Sequence, residues 1–313
     1  MTTNANPPPP GGVVVAIDVG GTGIKAGLVA SDGGLHQQLR EPTGADRGPD
    51  AVVATVLRIA GQLVETAGDA ARAVGLVVPG VVDEPAGVAV TAANLGFQDL
   101  PLAARVGDRV GLPAVLGHDV RAGGVAEARL GAGRSAGHVL FAAIGTGIAA
   151  AQIVDGTAVT GGHGAAGELG HVVVRPGGPA CGCGGRGCLE AVASAAAIGR
   201  RYAALAGRPA DASAVAAAAA AGDELAATVW RDAIDALADG LVIGQAIVDA
   251  EVIVIGGGLA EAGEALLAPL RAAVKQRLTF HRPPRLVRAA LGDRAGCIGA
   301  GLLGWDRLGV GTA

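Results

Sequence analysis

Aromatic side chains make up only 2% of the 313 residues: three Phe, two Trp and one Tyr, beside a single Met. A core must therefore be assembled from Ala, Val, Leu and Ile, and with half the chain apolar there is ample material for one large domain or two medium ones. Lysine is nearly absent; Lys25 and Lys275 are the two, so the basic residues are Arg. The net charge is −4 and no basic stripe appears, which argues against a nucleic-acid-binding surface. Mean hydropathy is +0.46, yet no run reaches the roughly 18 uncharged apolar residues of a membrane span, because Gly, Asp or Arg interrupts each. Residues 1–12 are Pro-rich, without a basic or an apolar segment, and read as a disordered leader and not as a signal peptide. These absences give the expectation of a cytoplasmic protein with no membrane partner. In that compartment, clustered cysteines are metal ligands more often than disulfides.

Glycine, at 54 residues, is what the chain has most visibly, and it implies tight turns and close backbone approaches. Residues 13–18 form a short apolar run that stops at Gly20, Gly21, Thr22 and Gly23, and a second run, 24–29, leads to Asp32 and Gly33. Two short runs around a glycine turn predict a β-hairpin. Residues 51–67 have helical spacing with Asp50 as the expected N-cap, and 74–78 reads as a buried strand ending at Pro79 and Gly80. The last third repeats the alternation: helix 223–250, strand 251–255, a Gly256, Gly257, Gly258 turn, helix 261–278, strand 286–290 and helix 296–308. Alternating strands and helices predict an α/β fold. The string GTGI at 21–24 recurs at 145–148, and Asp32-Gly33 is echoed near Asp155-Gly156. The echo suggests a duplicated unit forming a two-lobed enzyme with a ligand between the lobes. The expected lobes are 13–118, joined by the terminal helix 297–313, and 119–296.

The stretch from Gly21 to Ala26 also matches the dinucleotide pattern G-x-G-x-x-A. That motif needs a helix opening at its last glycines, and the turn at Asp32 follows too soon for one, so a hairpin is expected instead. Glycine hairpins suit phosphates because backbone N–H groups can converge on phosphoryl oxygens. The candidate phosphate-binding residues are Gly20, Gly21, Thr22 and Lys25 at the first turn, Gly145, Thr146 and Gly147 at the second, and the 256–258 turn. Asp18, where the strand enters the first turn, would orient a hydrated Mg²⁺.

Cys181, Cys183 and Cys188 lie in a glycine-rich loop, with His171 upstream. One His and three Cys make a complete tetrahedral zinc set, and four protein donors leave no position for water, so the zinc would be structural. Cys297 stands apart, as a small buried residue. Glu168 and Glu190 flank the cluster.

Together the Asp18–Thr22 motif, the 145–147 turn, Glu168 with His171, the cysteine loop through Glu190, and the 256–258 turn resemble the ROK family (repressor, open reading frame, kinase), which includes bacterial glucokinases. The resemblance runs from about residue 13 to the C-terminus. It implies a two-lobed actin-like ATPase (ribonuclease H-like) fold and an ATP-dependent hexose kinase. It implies that Asp119, in the position of the Asp in the family's Asn-Asp motif, is the catalytic base. By the same carry-over, Asn94, Glu168, His171 and Glu190 contact the sugar hydroxyls and Gly80 lines the pocket through its backbone. It implies a homo-oligomer, dimer or tetramer. The chain departs from the family at His118, where Asn is usual, which bears on sugar identity. Ala149, Ala150 and Ala151 replace a glycine run, and the 23–25 segment is similar to the first hairpin of polyphosphate-using glucokinases. An amino-sugar kinase, a non-catalytic sugar-binding regulator and a repressor are the alternatives. The repressor would need a helix-turn-helix domain, for which the residues before Val13 are too few.

Overall fold

A computed structural model of the chain describes residues 11–311, so the first ten residues of the expected leader lie outside the described range. The chain separates into two compact units. The first comprises the chain up to Leu130, the segment Thr160–Ala165 and the chain from Arg294 onward; the second comprises Gly131–Val159 and Ala166–Asp293.

In the first unit, β1 (Val13–Val19), β2 (Gly23–Val29) and β3 (Leu35–Pro42) form an antiparallel meander, followed by α1 (Pro49–Ala67) and β4 (Ala71–Val78). A small antiparallel sheet of β5 (Val81–Asp83), β6 (Val88–Ala92) and β7 (Phe97–Leu100) comes next, then α2 (Leu102–Val110), β8 (Ala114–His118) and α3 (Asp119–Leu130). The main sheet has the order β3-β2-β1-β4-β8, with β4 parallel to both β1 and β8. The near-continuous apolar run of β1 reflects burial on both faces. Val13, Val15 and Ile17 pack with Val52, Val56 and Ile59 of α1, while Ala16 meets Ala300 of the last helix, Ala295–Arg307. That helix returns to this unit at very close range: a Cβ on Gly75 would lie 1.8 Å from the carbonyl oxygen of Ala300.

The second unit contains β9 (His138–Ile144), β10 (Ile148–Val154), β11 (Thr157–Ala158), α4 (Leu189–Ala193), α5 (Ala195–Ala206), α6 (Ala212–Ala220), α7 (Glu224–Val248), β12 (Val252–Gly256), α8 (Glu264–Arg277) and β13 (Arg285–Arg288). The last helix is α9. The sheet order is β11-β10-β9-β12-β13, in which β9 is antiparallel to β10 and parallel to β12, as β1 is to β2 and β4. The GTGI echo therefore marks the same turn in two copies of one sheet plan. Asp155 and Gly156, both at positive φ, make the turn into β11. The core joins α7, through Trp230, Leu237 and Leu241, to Leu140, Ile253 and Ile255 of the sheet. Two units of this plan make the two-lobed α/β actin-like ATPase fold.

Local departures from the sequence reading have identifiable causes. Gly48, not Asp50, occupies the N-cap of α1, because Pro49 has the φ of a first helical residue and starts the helix earlier. Asp50 still lies in the first turn, where a carboxylate favours the helix dipole. The expected helix 261–278 is divided by Gly263 at φ 57, which separates a 3-10 turn, Gly258–Ala262, from α8. The units divide after Leu130 and not after His118, since α3 packs on α9 within the first unit. By length and composition Pro49–Ala70 could cross a membrane; here its apolar residues Val52, Val56, Ile59 and Leu63 are buried in the first unit's core.

Candidate active site

In the first unit, the turn after β1 closes with the Gly20 amide donating to the Gly23 carbonyl at 3.0 Å. Because β2 is a strand, no helix opens at these glycines, and the dinucleotide pattern is a coincidence of composition. Thr43, fully buried, clamps the turn from behind: its hydroxyl donates to the Gly20 carbonyl at 2.6 Å and its amide to the Thr22 carbonyl at 3.1 Å. Asp18 pairs in register with Lys25, and Lys25 with Arg40. The Asp18 carboxylate lies against the start of α9, where a Cβ on Gly296 would stand 2.5 Å from Oδ2. Asn94, exposed on a short 3-10 turn, comes close to Gly21, whose Cβ would lie 3.4 Å from that of Asn94. Gly80, at φ +92, follows β4; a side chain there would strike the Thr91 carbonyl. Cys297 is buried in α9 and its thiol donates to the Ala16 carbonyl at 3.7 Å, while burial, with the Asp18 charge nearby, pushes it upward from the ordinary thiol range.

Asp119 opens α3 at the end of β8, at the carboxyl edge of parallel strands where α/β folds place ligands. Its Oδ1 accepts the Val120 amide at 2.7 Å, and 27% of the side chain is exposed. His118 is buried, and its Nδ1 accepts the Arg121 amide at 3.3 Å, which assigns the ring proton to Nε2. His118 and Asp119 are thus neighbours, 3.5 Å apart between Nδ1 and Oδ1.

In the second unit, the 145–147 turn is held by the Gly145 amide donating to the Gly147 carbonyl at 2.9 Å and by the Ala195 amide donating to the Gly145 carbonyl at 2.8 Å. Glu190 sits directly behind it, with Oε2 accepting the Ile148 amide at 2.8 Å. A Cβ on Gly147 would come within 2.6 Å of that oxygen. The 256–258 turn lies alongside, since a Cβ on Gly257 would meet the Ile144 carbonyl at 2.4 Å. Thr146 opens onto a pocket of about 420 Å³ lined also by Ala195, Gly199, Arg200, Ala210 and Asp211. Ala149, Ala150 and Ala151 belong to β10 itself.

The donor atoms of His171, Cys181, Cys183 and Cys188 all lie within 4.8 Å of one another. Cys181 Sγ is 3.6 Å from His171 Nδ1, and Cys183 Sγ is 3.7 Å from Cys188 Sγ. A tetrahedral zinc with ordinary bond lengths requires about 3.5 Å for N–S and about 3.8 Å for S–S pairs, so the set fits that ion. Burial and the neighbouring thiols push Cys188 up to about 12, whereas the Gly185 amide and the adjacent thiols hold Cys183 below the ordinary range. A bound cation would deprotonate both. The other ring nitrogen of His171 faces Glu168, with Nε2 3.7 Å from Oε2.

The structure thus groups Asp18, Gly20, Gly21, Thr22, Lys25, Gly80, Asn94, His118 and Asp119 in the first unit, and Gly145, Thr146, Gly147, Glu168, His171, Glu190, Gly256, Gly257, Gly258 and the cysteines in the second. Sequence reading missed Thr43, Glu84, Arg121 and Gly296, none of which belongs to a local motif.

The ROK family model matches residues 14–306. The glucokinase of Thermotoga maritima is 36% identical over 95% of this chain and 98% of its own length. The N-acetylmannosamine kinase of Citrobacter koseri is 35% identical over 92% and 97%. Among solved structures, the ROK hexokinase of Thermus thermophilus superposes with a TM-score of 0.85 at 34% identity, covering 96% of this chain and all of that one. The ROK glucokinase of Streptomyces griseus, in complex with glucose and AMPPNP, gives 0.81 at 29% identity, covering 94% and 100%. With the family model spanning nearly the whole chain and both sheets carrying its glycine turns, this chain belongs to the ROK family.

Proposed function

We propose that the chain is an ATP-dependent hexose kinase that transfers the γ-phosphoryl group to the 6-hydroxyl of glucose or a related hexose. The observation that carries the proposal is the Asp119 carboxylate, partly exposed at the carboxyl edge of β8, in the unit that also holds Asp18 at a glycine turn. Asp119 accepts the proton of the 6-hydroxyl as that oxygen attacks phosphorus in line. The amides of the 20–22 and 145–147 turns, with the Thr22 and Thr146 hydroxyls, would bind phosphoryl oxygens. The Gly256, Gly257 and Gly258 turn beside the second would do the same, and the pocket at Thr146 has the size for the nucleoside. Asp18 would orient a hydrated Mg²⁺, which supplies charge neutralisation on the phosphates, and Lys25 would add a positive charge. Gly80, Asn94, His118, Glu168, His171 and Glu190 would read the sugar. Zinc on His171, Cys181, Cys183 and Cys188 would be structural and would fix the ring of His171 and the loop bearing Glu168. ATP as donor is supported by the similarity to a glucokinase crystallised with AMPPNP. The enzyme is taken to be cytoplasmic and homo-oligomeric, a dimer or tetramer, and the exposed Ile243 and Ile247 of α7 support a covered face there.

An amino-sugar kinase is the second reading, favoured by the N-acetylmannosamine kinase relative and by His118 in place of Asn. A panel of hexoses and amino sugars with ATP–Mg²⁺, read by ADP release, separates the two. In the same assay Asp119→Ala lowers kcat by about 10²- to 10⁴-fold while the fold and sugar binding persist. Retained turnover would remove Asp119 as the base.

A further inference from the structure

Arg121 is 3% exposed, two residues beyond Asp119 in the first turn of α3, and has no part in the chemistry proposed above. Its guanidinium donates from Nε and Nη2 to Glu84 Oε1, at 2.9 and 2.8 Å, and from Nη1 to the Gly164 carbonyl at 2.9 Å. The same Glu84 oxygen accepts the His118 amide at 3.4 Å, and the Arg121 amide donates to His118 Nδ1. Asp119 is therefore bracketed by hydrogen bonds that converge on Glu84 and Arg121. Gly164 belongs to the segment Thr160–Ala165, which packs within the first unit although the chain on either side of it belongs to the second. A few residues on, the same chain carries Glu168 and His171. Gly164 is itself closely placed, with φ +71 and room for a Cβ only 3.0 Å from the Val82 carbonyl.

A buried guanidinium paired with a carboxylate is an expensive way to fill space, because an apolar side chain of similar volume is often as stabilising or more so. What a guanidinium adds is a planar fork whose donors reach two acceptors in different directions, which a lysine ammonium cannot reproduce. We propose that Arg121 is a positioning residue: through Glu84 and the Gly164 carbonyl it locks the turn carrying Asp119 against the 160–165 segment of the same unit. The orientation of the general base then depends on this three-way contact. The inference rests on the reading of Asp119 as the base.

The test compares wild type, Arg121→Lys, Arg121→Met, Glu84→Gln and Asp119→Ala by steady-state kinetics with glucose and ATP varied separately, after thermal melts and zinc content have established folding. Displacing a reacting group by about 1 Å costs on the order of 10²-fold. Arg121→Lys is therefore expected to lower kcat/KM for the hexose about 10- to 100-fold, with KM for ATP within about twofold of wild type. Glu84→Gln shifts the same constants less, and Arg121→Met more; should Arg121→Met fail to fold, Arg121→Lys and Glu84→Gln still decide. A purely structural role predicts a lower Tm with unchanged constants per folded molecule; that result, or equal rises in both KM values, overturns the inference. A wild type without hexose phosphorylation, or an active Asp119→Ala, overturns the reading of the base and this inference with it. An inactive Asp119→Ala beside an Arg121→Lys of wild-type kinetics overturns this inference alone.

Discussion

Gly296→Ala should separate catalysis from stability. Gly296 is in the first turn of α9, and a Cβ there would stand 2.5 Å from Asp18 Oδ2 and 2.9 Å from Cγ, whereas ordinary contact begins at 3.4 Å. The carboxylate must retreat by about 0.9 Å, which a side-chain rotation of roughly 20° provides at about 1 kcal/mol or less. Replacing glycine by alanine in a helix returns up to about 1 kcal/mol, so the net change in stability is near zero. Catalysis has no such offset. If Asp18 orients the metal of the nucleotide, moving it by nearly an ångström should cost about 10- to 100-fold in kcat/KM for ATP. The assay is ADP release at saturating glucose with ATP–Mg²⁺ varied, beside a thermal melt. A variant that keeps wild-type kcat/KM for ATP and wild-type Tm would refute the assignment of Asp18, since the steric displacement does not depend on its role.

Three further outcomes follow from the same structure. If His171 serves a zinc and the sugar pocket together, as proposed, Cys183→Ser should lower bound zinc toward none and raise the hexose KM about tenfold or more; metal analysis beside kinetics checks this. Thr43→Val leaves the Gly20 carbonyl without its 2.6 Å donor, which costs about 1–3 kcal/mol and should raise KM for ATP, with Thr43→Ser restoring both Tm and KM. Burial alone would raise the Asp239 carboxyl, but hydrogen bonds from Arg175 and Arg277 outweigh it and hold the group below the ordinary range. A depressed carboxyl contributes stability above its unfolded-state pKa of about 3.9, lost as pH falls through the folded value. Asp239→Asn should therefore lower Tm by about 2–4 °C at pH 7, discounted for its partial exposure, and the gap to wild type should close below about pH 4 in melts across pH.

Features whose chemistry lies in consecutive residues are legible in the amino-acid order alone. The glycine turns at 20–23 and 145–147 are hairpins because glycine spacing and flanking apolar runs leave little else, and the repeated GTGI string anticipates two sheets of one plan. The Cys181, Cys183, Cys188 loop reads as metal-binding because a short glycine-rich segment brings thiolates together without help from distant chain. Even local signals fail where a neighbour competes: Pro49 starts α1 ahead of Asp50, and Gly263 interrupts the helix expected from 261.

Local chain order is thus enough for the α/β class, the duplicated plan, the glycine turns and the cysteine knuckle, since each follows from backbone geometry over a few residues. Which side chains support them is settled by long-range packing. Thr43 reaches Gly20 across the meander, Glu190 backs the turn at Ile148, Gly296 makes room for Asp18, and Arg121 joins Glu84 to Gly164. Each of these pairs is far apart in the chain and carries no periodicity or motif. The last two exist because α9 returns to the first sheet and the 160–165 segment packs in the first unit, and both are consequences of packing that no local pattern encodes.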